Sequence, residues 1–293
     1  MDNFKSGFVS IVGKPNVGKS TLINKILGEK ISIVTPKPQT TRQQIKGIYN
    51  DEESQIIFLD TPGFLQPRYE LQHKMVEYIN QSLKDSDLIL YICDANYYPT
   101  DYDRKIYENI AKMNIPKLAL LNKIDLVSND KLANLKKQMQ ELNFEEVIPV
   151  SLTQATEVQG ILTKIKRFLP YGPPFYDPDD ISDLPVRFFI QEIIREQIFL
   201  HLRDELPYAS TVVVEQFKET ENKIEIAANI WLERKSQKII IIGKQGQMIK
   251  KIRIASEKEI HRIMGKRIKL SLWIKIKPNW RNKKNALKEF GYR

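Results

Sequence analysis

Gly13-Lys-Pro-Asn-Val-Gly-Lys-Ser20 follows an apolar run, Phe8 to Val12, and leads into a helical pattern, Thr21 to Leu27. Strand, glycine turn and helix in that order are what a phosphate-binding loop requires. Gly13 and Gly18 permit the tight backbone that aims several N–H groups at phosphate oxygens. The helix behind them points the positive end of its dipole at the same place. The cradle thus passes through Lys14, Pro15, Asn16 and Val17 and ends at Thr21 in the first helical turn. Lys19 offers a point charge to the outer phosphates and Ser20 a hydroxyl to Mg²⁺. The pattern fixes only four positions, so chance is the competing explanation, and the flanking strand and helix weigh against it.

Working outward, the first helix closes at Gly28, and Ile31 to Arg42 is polar, broken by Pro36 and Pro38, and reads as a loop with functional potential. Ile45 to Asn50 and Gln55 to Asp60 flank a polar turn and predict an antiparallel hairpin. A helix is expected over Glu70 to Leu83, followed by strand Leu88 to Cys93, helix Asp103 to Met113 and strand Lys117 to Leu121. Helix Lys131 to Leu142, strand Val147 to Val150 and helix Glu157 to Leu169 complete the alternation. Apolar strands alternating with helices predict an α/β fold, a mostly parallel sheet covered on both faces.

In such a sheet, ligands sit beyond the carboxyl ends of the strands. Asp60 of Asp60-Thr-Pro-Gly63, Asn122 of Asn122-Lys-Ile-Asp125, and Ser151 all fall there, beside the glycine loop. Asp60 can hold Mg²⁺ through its water shell, and the Gly63 N–H can meet a γ-phosphate. Asp125 suits guanine, because its carboxylate accepts two N–H donors where adenine would present a lone pair. Asn122 and the Lys123 stem support the base, and Ser151 closes the pocket. Each short motif alone is weak, its bland alternative being a surface turn or helix cap. Together, in this order, they define a guanine nucleotide site.

With these motifs in place, residues 1–170 resemble the translation-factor-related GTPases. Gly13 to Ser20, Pro38-Gln-Thr-Thr-Arg42 and Asp60-Thr-Pro-Gly-Phe64 are similar to the Era subgroup. The resemblance implies that Thr41, or its neighbour Thr40, reaches Mg²⁺ from a first switch loop when a γ-phosphate is present, and that a second switch starts at Asp60. One position departs: the last nucleotide motif usually reads Ser-Ala, and here it is Ser151-Leu152. Phe64 stands where Ras-like switches carry the glutamine that orients water. A phenyl ring cannot do that, so slow intrinsic turnover is expected, with catalysis resting on Lys19, Thr41, Gly63 and Asn16. In similar GTPases an asparagine at the position of Asn16 binds K⁺ between the phosphates; the alternative is that Asn16 only shapes the loop.

Composition sets the wider frame. At 293 residues with 42% hydrophobic side chains, two folded domains are expected. No apolar run approaches a membrane span, and Met-Asp-Asn-Phe-Lys carries no signal or transit pattern, so a cytoplasmic protein is expected. Cys93, the single cysteine, lies in an apolar strand and reads as a buried small hydrophobe. The net charge of +10 is unevenly placed: residues 231–293 alone hold 19 Lys and Arg against 4 Asp and Glu, while residues 1–170 hold 22 against 20. The far end is built to meet a polyanion.

Pro170 to Asp183, with four prolines and four acids, reads as a linker, assigned to 171–184. The second domain, 185–293, opens with an apolar helical pattern over Val186 to Leu206, then strands Ser210 to Phe217 and Lys223 to Glu233. Lys238 to Ile242 leads into Gly243-Lys-Gln-Gly246, a helix over Met248 to Met264, and a strand over Ile268 to Lys277. A G-x-x-G turn before a basic helix matches the loop with which KH modules clamp a single-stranded backbone. Gly243, Lys244, Gln245 and Gly246 form that clamp, and Lys250, Lys251 and Arg253 extend its charge. Ile242, Ile249 and Ile252 line either a base groove or the ordinary core. The element order resembles a type II KH domain, a smaller α+β unit, whose pattern wants Ile239 to Ile242 helical where propensity wants a strand. Residues 279–293 either pack on the domain or touch RNA.

GTPase plus KH module is the Era architecture across the whole chain. That resemblance implies a monomeric ribosome-assembly factor that binds GTP or GDP with Mg²⁺, with K⁺ as a second cation. It also implies a grip on single-stranded rRNA at the 3′ end of the small ribosomal subunit RNA, and release on hydrolysis. Two other classes compete: a GTP-timed adaptor whose basic end docks peripherally on the inner face of the cell membrane or on an acidic protein, and an RNA-binding module with a vestigial nucleotide site. Intact Lys19, Ser20, Asp60 and Asp125 argue against the last.

Overall fold

A computed structural model describes residues 3–153 and 158–292. Six strands, β1 (Lys5–Val12), β2 (Ile45–Asn50), β3 (Ser54–Asp60), β4 (Leu88–Asp94), β5 (Lys117–Asn122) and β6 (Glu146–Pro149), form one sheet in the order β2-β3-β1-β4-β5-β6. All pair in parallel except β2, which turns back on β3 as the hairpin pattern predicts. Every residue of β3, β4 and β5 is buried, because helices cover both faces. That is why these strands read as unbroken apolar runs. Each fully buried Leu or Ile there stabilises the sheet by about 1.5–3 kcal/mol. The helices are α1 (Lys19–Leu27), α2 (Glu70–Lys84), α3 (Asp101–Ala111), α4 (Asn129–Gln140) and α5 (Val158–Lys166). The start of the expected last helix, Glu157, lies outside the described residues. Cys93 is buried, and desolvation pushes its thiol well above the ordinary range.

The packing divides the chain into two units, the first up to Gln66 and from Met75 to Asp183, the second from Pro67 to Lys74 and from Leu184 onward. The stretch 171–183, expected to be a linker, is instead strapped along the edge of the first sheet. The Ile48 N–H donates to Ile181 O (2.9 Å), the Ser182 hydroxyl to Lys46 O (2.6 Å), and Lys46 pairs with Asp183 at 2.6 Å. Gln55 accepts from the N–H groups of Phe175 and Tyr176 and donates to Tyr176 O. Those contacts cover the backbone of edge strand β2, which would otherwise invite another chain.

In the second unit, α6 (Val186–His201) is followed by β7 (Thr211–Glu219), β8 (Lys223–Leu232), α7 (Lys235–Ile242), α8 (Gln247–Met264), β9 (Arg267–Ile276) and α9 (Lys284–Glu289). The expected first helix ends at His201 rather than Leu206, since Leu202 is extended and Asp204 turns the chain at φ 54°. Leu202 and Leu206 remain in the core. The sheet order is β7-β8-β9, antiparallel then parallel. A parallel step needs a crossover, and α7 and α8 supply it. This settles Ile239 to Ile242 as helix against β-branched propensity. Gln237 caps that helix by accepting from the N–H groups of Glu233 and Arg234, both at 3.0 Å. The C-terminal segment packs on the domain: Trp280 is fully buried and donates to Ala209 O at 3.0 Å, and Tyr292 shares a hydrogen bond with Thr211.

Candidate functional site

The glycine loop leaves β1 and enters α1 with Asn16 at φ 63° and Gly18 at φ 111°. A Cβ on Gly13 would stand 2.2 Å from the Ile92 carbonyl oxygen, so only glycine fits. Lys19 is buried at the centre and donates to the carbonyls of Lys14 (2.9 Å) and Gly13 (3.2 Å). Desolvation lowers its pKa to about 8, partly offset by the nearby Asp60 carboxylate. The Lys14 side chain turns away to Asp103 (2.8 Å) and Thr100 (3.1 Å), so only its backbone belongs to the cradle. Pro15 lies under Gly63, where a Cβ would come within 2.8 Å of it. The Phe64 N–H donates to Gly13 O (3.1 Å), which locks the Asp60 loop to the phosphate loop.

Three hard oxygens converge here. Ser20 Oγ donates to Asp60 Oδ2 at 2.9 Å and lies 3.2 Å from Thr41 Oγ1. Asp60 is fully buried, and its Oδ1 has no hydrogen-bond partner among the described residues. Burial raises the Asp60 pKa, opposed first by Lys19. An orphaned carboxylate oxygen beside two hydroxyls is a donor set that suits Mg²⁺, which takes few protein ligands and keeps several waters. Of the two threonines, Thr41 is the one beside Ser20. The segment from Ile33 to Thr41 lines the same cleft as Gly18, Lys19, Ser20 and Gly63, and Asn16 Nδ2 donates to Pro36 O at 2.7 Å. Among the described residues no cluster of three or more His, Cys, Asp or Glu could hold a metal.

On the base side, Asn122 is buried and works as a brace. Its amide donates to Val17 O (2.7 Å) and accepts from the Leu152 N–H (3.2 Å). Lys123, at φ 63°, reaches Asn16 O (3.1 Å) and pairs with Asp94 at 2.7 Å. Ser151 Oγ donates to Asp125 Oδ1 at 2.6 Å, leaving that exposed carboxylate its other lone pairs for a ligand. Thr21, half-buried, sits in the first turn of α1. Thr61, which the sequence reading passed over, ties the Asp60 loop down by donating to Ile11 O at 2.8 Å.

In the second unit Gly243 (φ 73°), Gln245 (φ 50°) and Gly246 (φ 76°) turn the chain between α7 and α8. Lys244, Gln245, Lys250 and Lys251 are exposed. Arg253 is not free to extend this patch, because both carboxylate oxygens of Glu257 accept from it at 2.8 Å. Ile252 is core, Ile242 and Ile249 are half-buried, and Ile239 and Ile240 are 76% and 57% exposed beside the turn. Sequence alone does not separate the exposed from the buried members of this run of four isoleucines.

A strand-loop-helix phosphate cradle, a buried acid on the next strand end and a base brace at two further ends define a guanine-nucleotide P-loop protein, here joined to a KH module. Residues 8–123 match the family described as 50S ribosome-binding GTPase, and residues 205–281 match the KH domain. GTPase Era of Halothermothrix orenii is 41% identical, with 99% of each chain covered, and GTPase Era of Ruminiclostridium cellulolyticum is 43% identical over 99% of this chain and 98% of that one. Among solved structures, Era in complex with MgGDPNP and nucleotides 1506–1542 of 16S ribosomal RNA superposes with a TM-score of 0.94 at 38% identity, covering 99% of both chains. An Aquifex aeolicus Era variant bound to GDP and aluminium fluoride gives 0.93 at 38% identity and the same coverage. The chain belongs to the GTPase Era family, and it is a GTPase. No helix among the described residues is long and apolar enough to cross a membrane.

Proposed function

We propose that the chain is a GTP-driven switch that binds single-stranded RNA at the 3′ end of the small-subunit ribosomal RNA and acts in assembly of that subunit. Gly13 to Thr21 cradle the phosphates, and Asn122, Lys123, Asp125 and Ser151 select guanine. Ser20 and Thr41 ligate Mg²⁺, and Asp60 holds it through water. Lys19 and the N–H of Gly63 stabilise charge on the transferring phosphoryl group. Gly243 to Gly246 with Lys250 and Lys251 clamp the RNA backbone. Arg253 acts there only indirectly, by pairing with the Glu257 that also accepts from the Leu270 N–H.

The observation that carries this reading is the meeting of Thr41 with Ser20 and Asp60. The 31–42 segment reaches the metal donor set itself, so a γ-phosphate and its Mg²⁺ can order that segment while GDP leaves it loose. The nucleotide state then biases RNA binding, and by linkage RNA biases nucleotide affinity equally. Asn16 completes the catalytic set by offering its Oδ1 to K⁺, since Nδ2 is committed to Pro36. Two measurements test this. RNA affinity should be higher with a non-hydrolysable GTP analogue than with GDP, and equal affinities sink the coupling. Hydrolysis should be several-fold faster in potassium than in sodium buffer, and equal rates remove the cation role of Asn16.

A further inference from the structure

The sheet of the second unit has two faces with different cover. α6 and α8 bury one against Ile224, Ile226, Ile230 and Leu270. The register places on the other face, row by row from β7 to β9, Lys218, Glu225 and Lys269; then Gln216, Ala227 and Ser271; then Val213, Asn229 and Trp273; then Thr211, Trp231 and Lys275. The C-terminal segment closes only one end of it. The Phe290 ring lies 5.4 Å from Trp231, tilted by 39°, and the ammonium groups of Lys275 and Lys277 stand 5.2 and 5.9 Å from the Trp231 ring centroid.

Trp273 is left outside that cover. It is 52% exposed, and its indole has neither a ring partner nor a hydrogen-bond partner among the described residues, unlike Trp231 and Trp280. Around it the face is basic: Lys218, Lys223, Arg267, Lys269, Lys275 and Lys277 against Glu215 and Glu225. Glu225 pairs with Lys223 at 2.5 Å and lies 3.7 Å from Lys269, Glu215 accepts from Asn229, and Lys277 pairs with Glu289, which leaves Lys218, Arg267 and Lys275 to give the face its net positive charge. A flat aromatic surface within a face that keeps a net positive charge matches the stacking platform and charged track by which single-stranded nucleic acids are held.

We propose that this face is a second contact for single-stranded RNA, with an unpaired base stacked on Trp273 and backbone phosphates on Lys269 and Lys275. The proposal rests on the RNA-binding reading above and extends it to a part of the domain that the glycine turn does not reach. The turn joins the helices, and α8 packs on the opposite face. One strand that fills the turn must round an edge of the sheet to arrive at Trp273. The second contact therefore belongs to longer RNA only.

The test uses the full chain loaded with a GTP analogue and single strands of about 8 and about 24 nucleotides, spanning the usual site sizes. Trp273→Ala and the pair Lys269→Glu with Lys275→Glu should weaken the longer strand about tenfold and the shorter less than twofold. Trp273→Phe should keep most of the affinity because a stacking surface remains. The pair Lys244→Asp with Gln245→Asp should weaken both lengths. If Trp273→Ala leaves the longer strand untouched, or weakens both lengths equally, the second contact is overturned while the glycine turn stands. If the native chain binds neither strand, the RNA reading itself fails and takes this one with it. Capture by phosphatidylglycerol vesicles that Trp273→Ala alone abolishes, with no effect on RNA, reassigns the face to a lipid surface. Unchanged circular dichroism and thermal unfolding midpoint confirm that each variant is folded.

Discussion

The glycines of the phosphate loop and Gly246 in the turn of the second unit serve different needs. A Cβ on Gly13 would meet Ile92 O at 2.2 Å, on Gly18 the Asn122 amide at 2.5 Å, and on Gly63 the Pro15 backbone at 2.8 Å. A Cβ on Gly246 would meet nothing within 4 Å, and that residue is glycine for its φ of 76° alone. The nucleotide site is thus interlocked, each segment held by the next through buried hydrogen bonds. In the turn of the second unit a Cβ on Gly243 would meet Met248 at 2.7 Å, whereas Lys244 and Gln245 are exposed. Changes in the first region should move folding and binding together, and changes at Lys244, Gln245 and Gly246 should move binding with little effect on the fold.

The largest expected effect is in specificity. Asp125→Asn removes the acceptor for two guanine donors, which should weaken GDP binding on the order of a thousandfold. The same change should improve binding of xanthosine diphosphate, whose second carbonyl the new amide can meet. Titration calorimetry with both nucleotides checks this, and an unchanged GDP affinity would break the assignment of the base pocket. RNA binding without nucleotide should stay level, which separates the two regions.

A smaller effect sharpens the contrast in stability. Gly13→Ala should cost about 3 kcal/mol by overpacking against a backbone that cannot move, whereas Gly246→Ala should cost about 1 kcal/mol, the penalty of a left-handed φ. The chain carries its own reporters. All three tryptophans, Trp231, Trp273 and Trp280, lie in the second unit, and the only cysteine, Cys93, lies buried in the first. Urea titrations followed by tryptophan fluorescence and by Cys93 thiol labelling read the two units separately. Equal losses for the two variants would refute the contrast.

Much of this was legible in the sequence because a doubly covered parallel sheet writes itself as apolar runs, and its active edge as polar residues at the run ends. Asp60, Asn122 and Ser151 were found that way. What stayed hidden depends on where side chains end up rather than on what they are. The prolines and acids of 171–183 signal a break in periodicity, yet nothing in them shows that Ile181 and Tyr176 bond to β2 and β3. Arg253 reads as free charge until Glu257, one helical turn on, is seen to hold it. Which of Thr40 and Thr41 stands beside the Ser20 hydroxyl is visible only in space. Ile268 to Lys277 reads as a strand, and only the placement of α6 and α8 shows that Trp273 lies on the uncovered face of the sheet.

The smallest effect concerns protons. Lys19 has its pKa lowered to about 8, first by burial, with Asp60 opposing. A lysine lowered on folding costs the folded state while it is charged, and that cost is relieved as pH climbs from the folded toward the unfolded value. A bound polyphosphate works the other way, because its charge raises the pKa of Lys19 again. Nucleotide affinity is therefore full below pH 8 and falls as pH rises through it. Between pH 7 and pH 8.5 the loss should be about fourfold, the ratio of the unprotonated penalties for a group titrating near 8. GDP titrations across that window, below the range where guanine itself ionises, measure it. Lys19 and Lys117, the buried lysines among the described residues, both lie in the first unit, so RNA affinity in the same buffers is the internal reference. A flat GDP profile would place the charge of Lys19 outside the phosphate site, and a parallel fall in RNA affinity would mean that the two regions are not built on different principles at all.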